Sequence, residues 1–275
     1  MCSSDLMAVI AASSCVSPLF VPGDRPDRFE KAAASGADAV IIDLEDAVAA
    51  DKKAEARAHV AALRKLAVPV LVRVNAPASE WHNEDLRALK NAPIDGVVIP
   101  KTQNASEAAA ASLALDERGL VVALIESALG LAQARDIALA RGVKRLAFGS
   151  LDFAVDLGCA HTREALLPAR MELVLASRLG GLNGPIDGVT TSIEDTRIAE
   201  DDAVYAASLG FAGKLSIHPK QIASVKKGFT PTDDEIAWAR KISAASEDGA
   251  VRVGGAMADA PVRIRAEQIL RRAGL

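Results

Sequence analysis

At 275 residues, 50% of them hydrophobic, the chain has enough apolar material for one large core and falls near the size common for an α/β barrel. Aromatic residues make up only 3% and the formal net charge is -4, so the chain offers neither a base-stacking surface nor a global positive field, and nucleic acid is excluded as a partner. No apolar run approaches the roughly 18 residues of a membrane helix. The cysteines Cys2, Cys15 and Cys159 lack CxxC spacing, which argues against a zinc site or a disulfide framework and for a reduced, cytoplasmic setting.

In chain order, residues 1–14 are expected to be a disordered lead. From Leu19 onward, short β-branched runs alternate with Ala-rich stretches, the pattern of repeated strand–helix units and a parallel sheet. Strands are predicted at 18–21, 39–44, 70–74, 96–99, 121–125, 145–148, 185–189 and 214–217. The helices between and after them are predicted at 25–35, 52–66, 80–91, 106–117, 129–141, 163–179, 200–209 and 219–225. Eight such pairs close a TIM (β/α)8 barrel, here over residues 15–229, and no GxGxxG follows the first strand as a doubly wound sheet would require. Residues 230–275 then form a C-terminal helical extension: a helix opening at Pro231-Thr232-Asp233 and running to about 246, a Gly-rich patch, and a last helix over 261–272. With no strand partner, this extension suits a lid or an oligomer arm.

In a barrel the C-terminal ends of the strands line the active face, so polar residues there carry the most information. They are Asp43, Glu45 and Asp46 after the second strand, Arg73 and Asn75 at the third, and Lys101 at the fourth. Glu126 follows the fifth and Asp152 the sixth; Asp187 and Thr190 lie near the seventh, and His218 after the eighth. Glu126 and Asp152 are open to three roles: an acid/base couple, a Mg2+ pair completed by water and substrate oxygens, or plain helix N-caps. Arg73, a charge at the end of an apolar run, needs a partner, either Asp43 or Glu45 or a substrate carboxylate gripped by its fork. Lys101 fits an ion pair at the rim. His218 fits a base or a buried histidine satisfied by its neighbours, and His161 looks incidental. The turn at Gly149-Ser150 lets backbone N–H groups approach an oxyanion or a carboxylate.

These segments together resemble the citrate lyase β-subunit-like (HpcH/HpaI aldolase/citrate lyase) family, which includes malyl-CoA and citramalyl-CoA lyases. The resemblance is carried by Leu19-Phe20-Val21-Pro22-Gly23-Asp24-Arg25-Pro26, Ile42-Asp43-Leu44-Glu45-Asp46, Val72-Arg73-Val74-Asn75, Ile99-Pro100-Lys101, Ile125-Glu126-Ser127-Ala128, Phe148-Gly149-Ser150-Leu151-Asp152 and Ile217-His218-Pro219. Gly255-Ala256-Met257-Ala258-Asp259-Ala260-Pro261 extends it into the tail. Two segments depart from the family pattern: Val16-Ser17-Pro18, where many relatives have an arginine, and Ala250-Val251-Arg252-Val253-Gly254.

The resemblance implies a Mg2+-dependent enzyme that cleaves or forms a carbon–carbon bond in a 3-hydroxyacyl-CoA thioester such as malyl-CoA, citramalyl-CoA or citryl-CoA. The partner product is a keto acid: glyoxylate, pyruvate or oxaloacetate. It matches Glu126 and Asp152 to the metal ligands, Arg73 to the arginine that binds substrate and enolate, and Glu45 and Asp46 to the acids that hold metal-bound water. Gly149 and Ser150 join Arg73, Glu126 and Asp152 in binding substrate. Asp259 matches an aspartate, often a neighbouring subunit's, that completes the site, and a homotrimer or hexamer is expected. Two other outcomes use the same parts: a citryl-acyl-carrier-protein lyase subunit within a larger complex, and a malate-synthase-like condensation with thioester hydrolysis.

Overall fold

Runs such as Ala39-Val40-Ile41-Ile42 are apolar at every position because their strands are buried on both faces. In the computed structural model, which describes residues 12–244, 251–253 and 256–275, these runs form an eight-stranded sheet in the order β1 to β8, each strand parallel to the next. The strands are β1 (Pro18–Pro22), β2 (Ala39–Asp43), β3 (Val70–Arg73), β4 (Gly96–Ile99), β5 (Leu120–Ile125), β6 (Val143–Phe148), β7 (Ile186–Asp187) and β8 (Gly213–Lys214). A parallel bridge between Leu19 and Ser216 brings the last strand back to the first, with Phe20 N–H donating to Ser216 O at 2.9 Å. The chain is a TIM-like barrel.

The helices are α1 (Phe29–Ala33), α2 (Lys53–Ala61), α3 (His82–Leu89), α4 (Ala105–Ala114), α5 (Ala128–Ala132), α6 (Ala134–Leu139), α7 (Ser150–Leu157), α8 (Arg163–Leu179), α9 (Thr196–Leu209) and α10 (Ile222–Phe229). Two differ from the sequence expectation. The predicted helix over 129–141 is broken into α5 and α6 at Gln133, and α7 fills a stretch read as a turn. The predicted strands at 185–189 and 214–217 shorten to two residues each. Pro185 has no N–H for the ladder, and the Gly188 carbonyl accepts from Lys214 Nζ at 2.6 Å instead of from a strand.

The barrel interior is filled by alternate residues, among them Ile41, Leu71, Leu120, Val122, Leu124, Ala147, Ile186 and Leu215. Ala12 and Cys15 belong to the same cluster, so the described chain joins the core before the expected start at residue 15; residues 1–11 of the expected lead lie outside the described residues. The lower end of the barrel is closed by Arg145, which is 0% exposed and donates to Gly184 O at 3.0 Å and Cys15 O at 2.5 Å. Beside it the buried hydroxyls of Ser17 and Ser216 meet at 2.9 Å.

Contacts divide the chain after Lys226. The C-terminal unit contains α11 (Asp233–Ser243), a hairpin of β9 (Val251–Val253) and β10 (Ala256–Ala258), and α12 (Ala260–Arg272). Thr232 caps α11 in a capping box with Glu235. Ala239 and Ile242 of α11 pack with Ala266 and Ile269 of α12 in a small core of their own. Most of the expected Gly-rich patch, at 245–250 and 254–255, lies outside the described residues.

Candidate active site

Strand parity decides which side chains enter the barrel mouth. Asp43, Arg73, Glu126 and Gly149 share the parity of interior Ile41, Leu71, Leu124 and Ala147, so they point inward at the C-terminal ends. Asp187 follows interior Ile186 and therefore faces the helix layer, where Arg170 Nε of α8 donates to it at 2.9 Å and Lys214 Nζ at 3.1 Å. It does not line the mouth.

Asp43 organises the β2 side. Its two oxygens accept N–H bonds from Glu45 and Ala47 at 2.9 and 3.0 Å, which curl the chain after the strand. The same oxygens accept from Arg73 Nε and Nη2 at 2.7 and 2.6 Å across directly paired strands. One edge of the guanidinium is thus spent on Asp43. The other, Nη1, lies 3.2 Å from Glu45 Oε2 and 3.8 Å from Asp46 Oδ2, while Cζ stacks 4.9 Å from the centroid of Phe20. Burial works against the charged guanidinium, but the hydrogen bonds and charge of Asp43, with Glu45 and Asp46, raise the Arg73 pKa further above its ordinary value. It is a permanent cation.

Lys101 joins the two halves of the site. Its backbone is left-handed, with φ 48°, a conformation that costs a non-glycine residue roughly 1 kcal/mol. The turn aims the Lys101 N–H at Glu126 Oε1 at 2.6 Å and the ammonium at Glu45 Oε1 at 2.6 Å. Glu126 is 4% exposed; burial, then the charge of Glu45, push its carboxyl up to about 8, with Asp152 adding to the effect and Lys101 opposing it. Burial likewise raises Glu45, against Arg73 and Lys101. Glu45 Oε2 is buried and makes no hydrogen bond, despite its nearness to Arg73.

Glu126 is not a helix cap: Ser127 takes that role for α5, accepting from Gly130 N–H at 3.1 Å. Asp152, exposed, lies in the first turn of α7, whose N-cap is Gly149. Gly149 has φ -84°, which any residue adopts, so its backbone does not require glycine. Space does. A Cβ there would collide with Glu126 Oε2 and lie 2.5 Å from Glu126 Cβ. Ser150 is buried, its hydroxyl 3.0 Å from His161 Nε2, a contact the sequence left unseen because His161 sits in a loop eleven residues away. His218 caps the turn at Pro219–Gln221, its side chain accepting from Lys220 N–H at 3.2 Å, a plain structural role. Asp259 lies in the C-terminal unit, where it caps α12 by accepting from Val262 N–H at 3.3 Å.

The mouth therefore gathers Arg73, Glu45, Asp46, Lys101, Glu126, Gly149, Ser150 and Asp152 at the ends of β2 to β6. Among the described residues no group of three or more His, Cys, Asp or Glu could hold a metal ion alone. An all-oxygen, incomplete donor set suits Mg2+, which keeps waters and substrate oxygens in its shell. Two features fit such an ion: the orphaned Glu45 Oε2, and the raised Glu126, whose carboxylate a nearby cation would restore.

The described residues thus place buried acids and an arginine together at the C-terminal ends of the strands of a parallel barrel, the face on which barrel enzymes carry their active sites. Residues 17–219 match the model of the HpcH/HpaI aldolase/citrate lyase family, and the chain belongs to that family. It is 38% identical over 268 residues to a citrate lyase subunit beta-like protein of Mycobacterium tuberculosis, covering 93% of this chain and 94% of that one. It is 33% identical over 297 residues to the L-malyl-CoA/beta-methylmalyl-CoA lyase of Cereibacter sphaeroides, covering 93% of each. The crystal structure of CitE from M. tuberculosis with magnesium, acetoacetate and coenzyme A superposes with a TM-score of 0.86 at 35% identity, covering 96% of this chain and 100% of that one.

Proposed function

We propose that this protein is a Mg2+-dependent carbon–carbon lyase that splits a 3-hydroxyacyl-CoA thioester of the malyl-CoA, citramalyl-CoA or citryl-CoA type. The products are an acyl-CoA and a keto acid: glyoxylate, pyruvate or oxaloacetate. The observation that carries this reading is the buried pair Glu45 and Glu126, bridged by Lys101, with one oxygen of Glu45 left unbonded beside the guanidinium edge that Asp43 does not occupy. A malyl-CoA lyase among the relatives, and a relative that binds magnesium, acetoacetate and coenzyme A, support the substrate class.

In this reading Glu126 and Asp152 hold Mg2+, which when bound supplies Lewis-acid polarisation of the substrate's oxygens. Lys101 N–H and the bare face of Gly149 keep Glu126 in one orientation. The substrate hydroxyl loses its proton to water held by Glu45 and Asp46, or to Asp259. The electrons of the breaking bond pass to the thioester carbonyl, and the Nη1 edge of Arg73 offers fixed positive charge to the enolate, usually the largest single contribution to such catalysis. Protonation of the enolate carbon completes the acyl-CoA. Asp259 belongs to a neighbouring subunit in this scheme, so the protein works as a homotrimer or hexamer, with residues 230–275 as lid and exchange arm.

The test is to incubate the protein alone with Mg2+ and each of the three CoA esters, following keto acid and free CoA separately. Keto acid with acyl-CoA is the expected outcome. Free CoA in their place identifies thioester hydrolysis, and no cleavage of any CoA ester removes the stand-alone lyase. Glu126→Gln is expected to lower kcat by about a hundredfold or more, the scale of a lost electrostatic contact to the reacting groups; wild-type activity in that variant would remove Glu126 from the metal.

A further inference from the structure

The acid-bearing chain after β2 is held from two sides. From inside the barrel, Asp43 accepts the N–H groups of Glu45 and Ala47. From the helix layer, Lys53, the first residue of α2, donates from Nζ to Leu44 O at 2.7 Å and Glu45 O at 2.6 Å. Lys53 is 6% exposed, lies 5.2 Å from the Trp81 ring centroid, and has no carboxylate within ion-pair distance among the described residues. Burying an ammonium without a counter-ion is costly, and two carbonyl contacts return only part of that cost. Burial depresses its pKa accordingly, against the more distant charges of Asp43, Asp85, Glu45 and Asp46. A residue kept there for stability alone would be better replaced by an apolar one.

We infer that Lys53 is a positioning residue for the active site: by gripping the Leu44 and Glu45 carbonyls it fixes the Glu45 carboxylate between Lys101 and Arg73. A carboxylate with one oxygen on an ammonium at 2.6 Å and the other 3.2 Å from a guanidinium has little freedom to relax, so its placement depends on the main chain that carries it. Lys53 touches no reacting group; it acts through Glu45. The catalytic part of this inference rests on the lyase reading, whereas its metal-binding part does not.

Lys53→Met, Lys53→Gln and Lys53→Arg are made together and checked for folding by circular dichroism. Supporting contacts behind a metal site are typically worth 10–100-fold, so K53M and K53Q are expected to weaken Mg2+ binding, read by calorimetry, by about tenfold and to lower kcat by about tenfold with KM nearly unchanged. K53R, which keeps donors, recovers part of both. In a Glu45→Gln background the Lys53→Met change is expected to lower kcat no further, because residues acting through one another are not additive. Folded K53M with wild-type kcat and Mg2+ affinity overturns the inference, as do fully additive losses in the double variant or failure of all three single variants to fold. If the wild type binds Mg2+ but cleaves no thioester, the lyase reading fails and calorimetry still decides Lys53. A wild type that neither binds Mg2+ nor cleaves sinks both.

Discussion

Gly149 shows how a single missing methyl shapes the site. Because its φ is an ordinary -84°, alanine is allowed by the backbone, and the effect of Gly149→Ala comes from collision with the Glu126 side chain, its Cβ as well as its carboxylate. We expect G149A to fold with a penalty of roughly 1–3 kcal/mol, the usual cost of forced overpacking, and to bind Mg2+ more weakly as Glu126 is pushed aside. Chemical denaturation and calorimetry read the two effects separately, and unchanged values in both would refute the contact. His161 carries a different prediction. Burial, then the charges of Arg170 and Lys214, hold its pKa below the ordinary 6.5 in the folded protein. The unfolded chain therefore takes up the proton first, so stability falls as pH drops through 6.5 toward the folded pKa and is fully kept above 6.5. The stability of wild type relative to His161→Gln should be greater at pH 8 than at pH 5, both compared by urea midpoints, with solvent screening keeping the difference small because His161 is exposed; an unchanged difference would mean that the charges of Arg170 and Lys214 do not reach the imidazole.

At the level of elements, the barrel was legible because both faces of each strand are buried, leaving apolar runs too short for helices at regular intervals. The acids and the arginine at the mouth were legible because those runs end in charge. What escaped has physical reasons. The helix α7 spans two turns and carries Leu151, Asp152, Val155 and Asp156 with no wide apolar stripe; its one signal was Gly158, left-handed at φ 70°. Asp187 was misplaced because the strand predicted over 185–189 shortens to Ile186–Asp187, and with Ile186 turned into the barrel core Asp187 faces the helix layer. Lys53 was hidden because its partners are main-chain carbonyls, which leave no trace in side-chain spacing. Among the described residues the C-terminal helices α11 and α12 carry a core of their own, built from Ala239, Ile242, Ala266 and Ile269. Truncation after Phe229 is therefore expected to leave a folded barrel and, if the proposed homotrimer or hexamer forms through this extension, to reduce the solution mass toward that of a monomer. An unchanged oligomer by light scattering would assign assembly to the barrel instead.

For the molecule as a whole, no helix among the described residues is long and apolar enough to cross a membrane, and the family match covers most of the barrel. The consequence of widest reach comes from Arg145 and its neighbours at the lower end. A barrel plugged there has one doorway, and everything that enters past its rim must back out the same way. A keto acid seated against Glu126 and Asp152 would be the innermost passenger, with the bulkier thioester between it and the exit. Under the proposed lyase reaction departure is then queued: acyl-CoA first, keto acid last. Steady-state kinetics can read that queue, since the last product to leave competes with substrate for the empty enzyme while the first does not. Competitive inhibition by the keto acid and mixed inhibition by acyl-CoA are expected, and the opposite pattern would mean that the doorway lets the two pass each other.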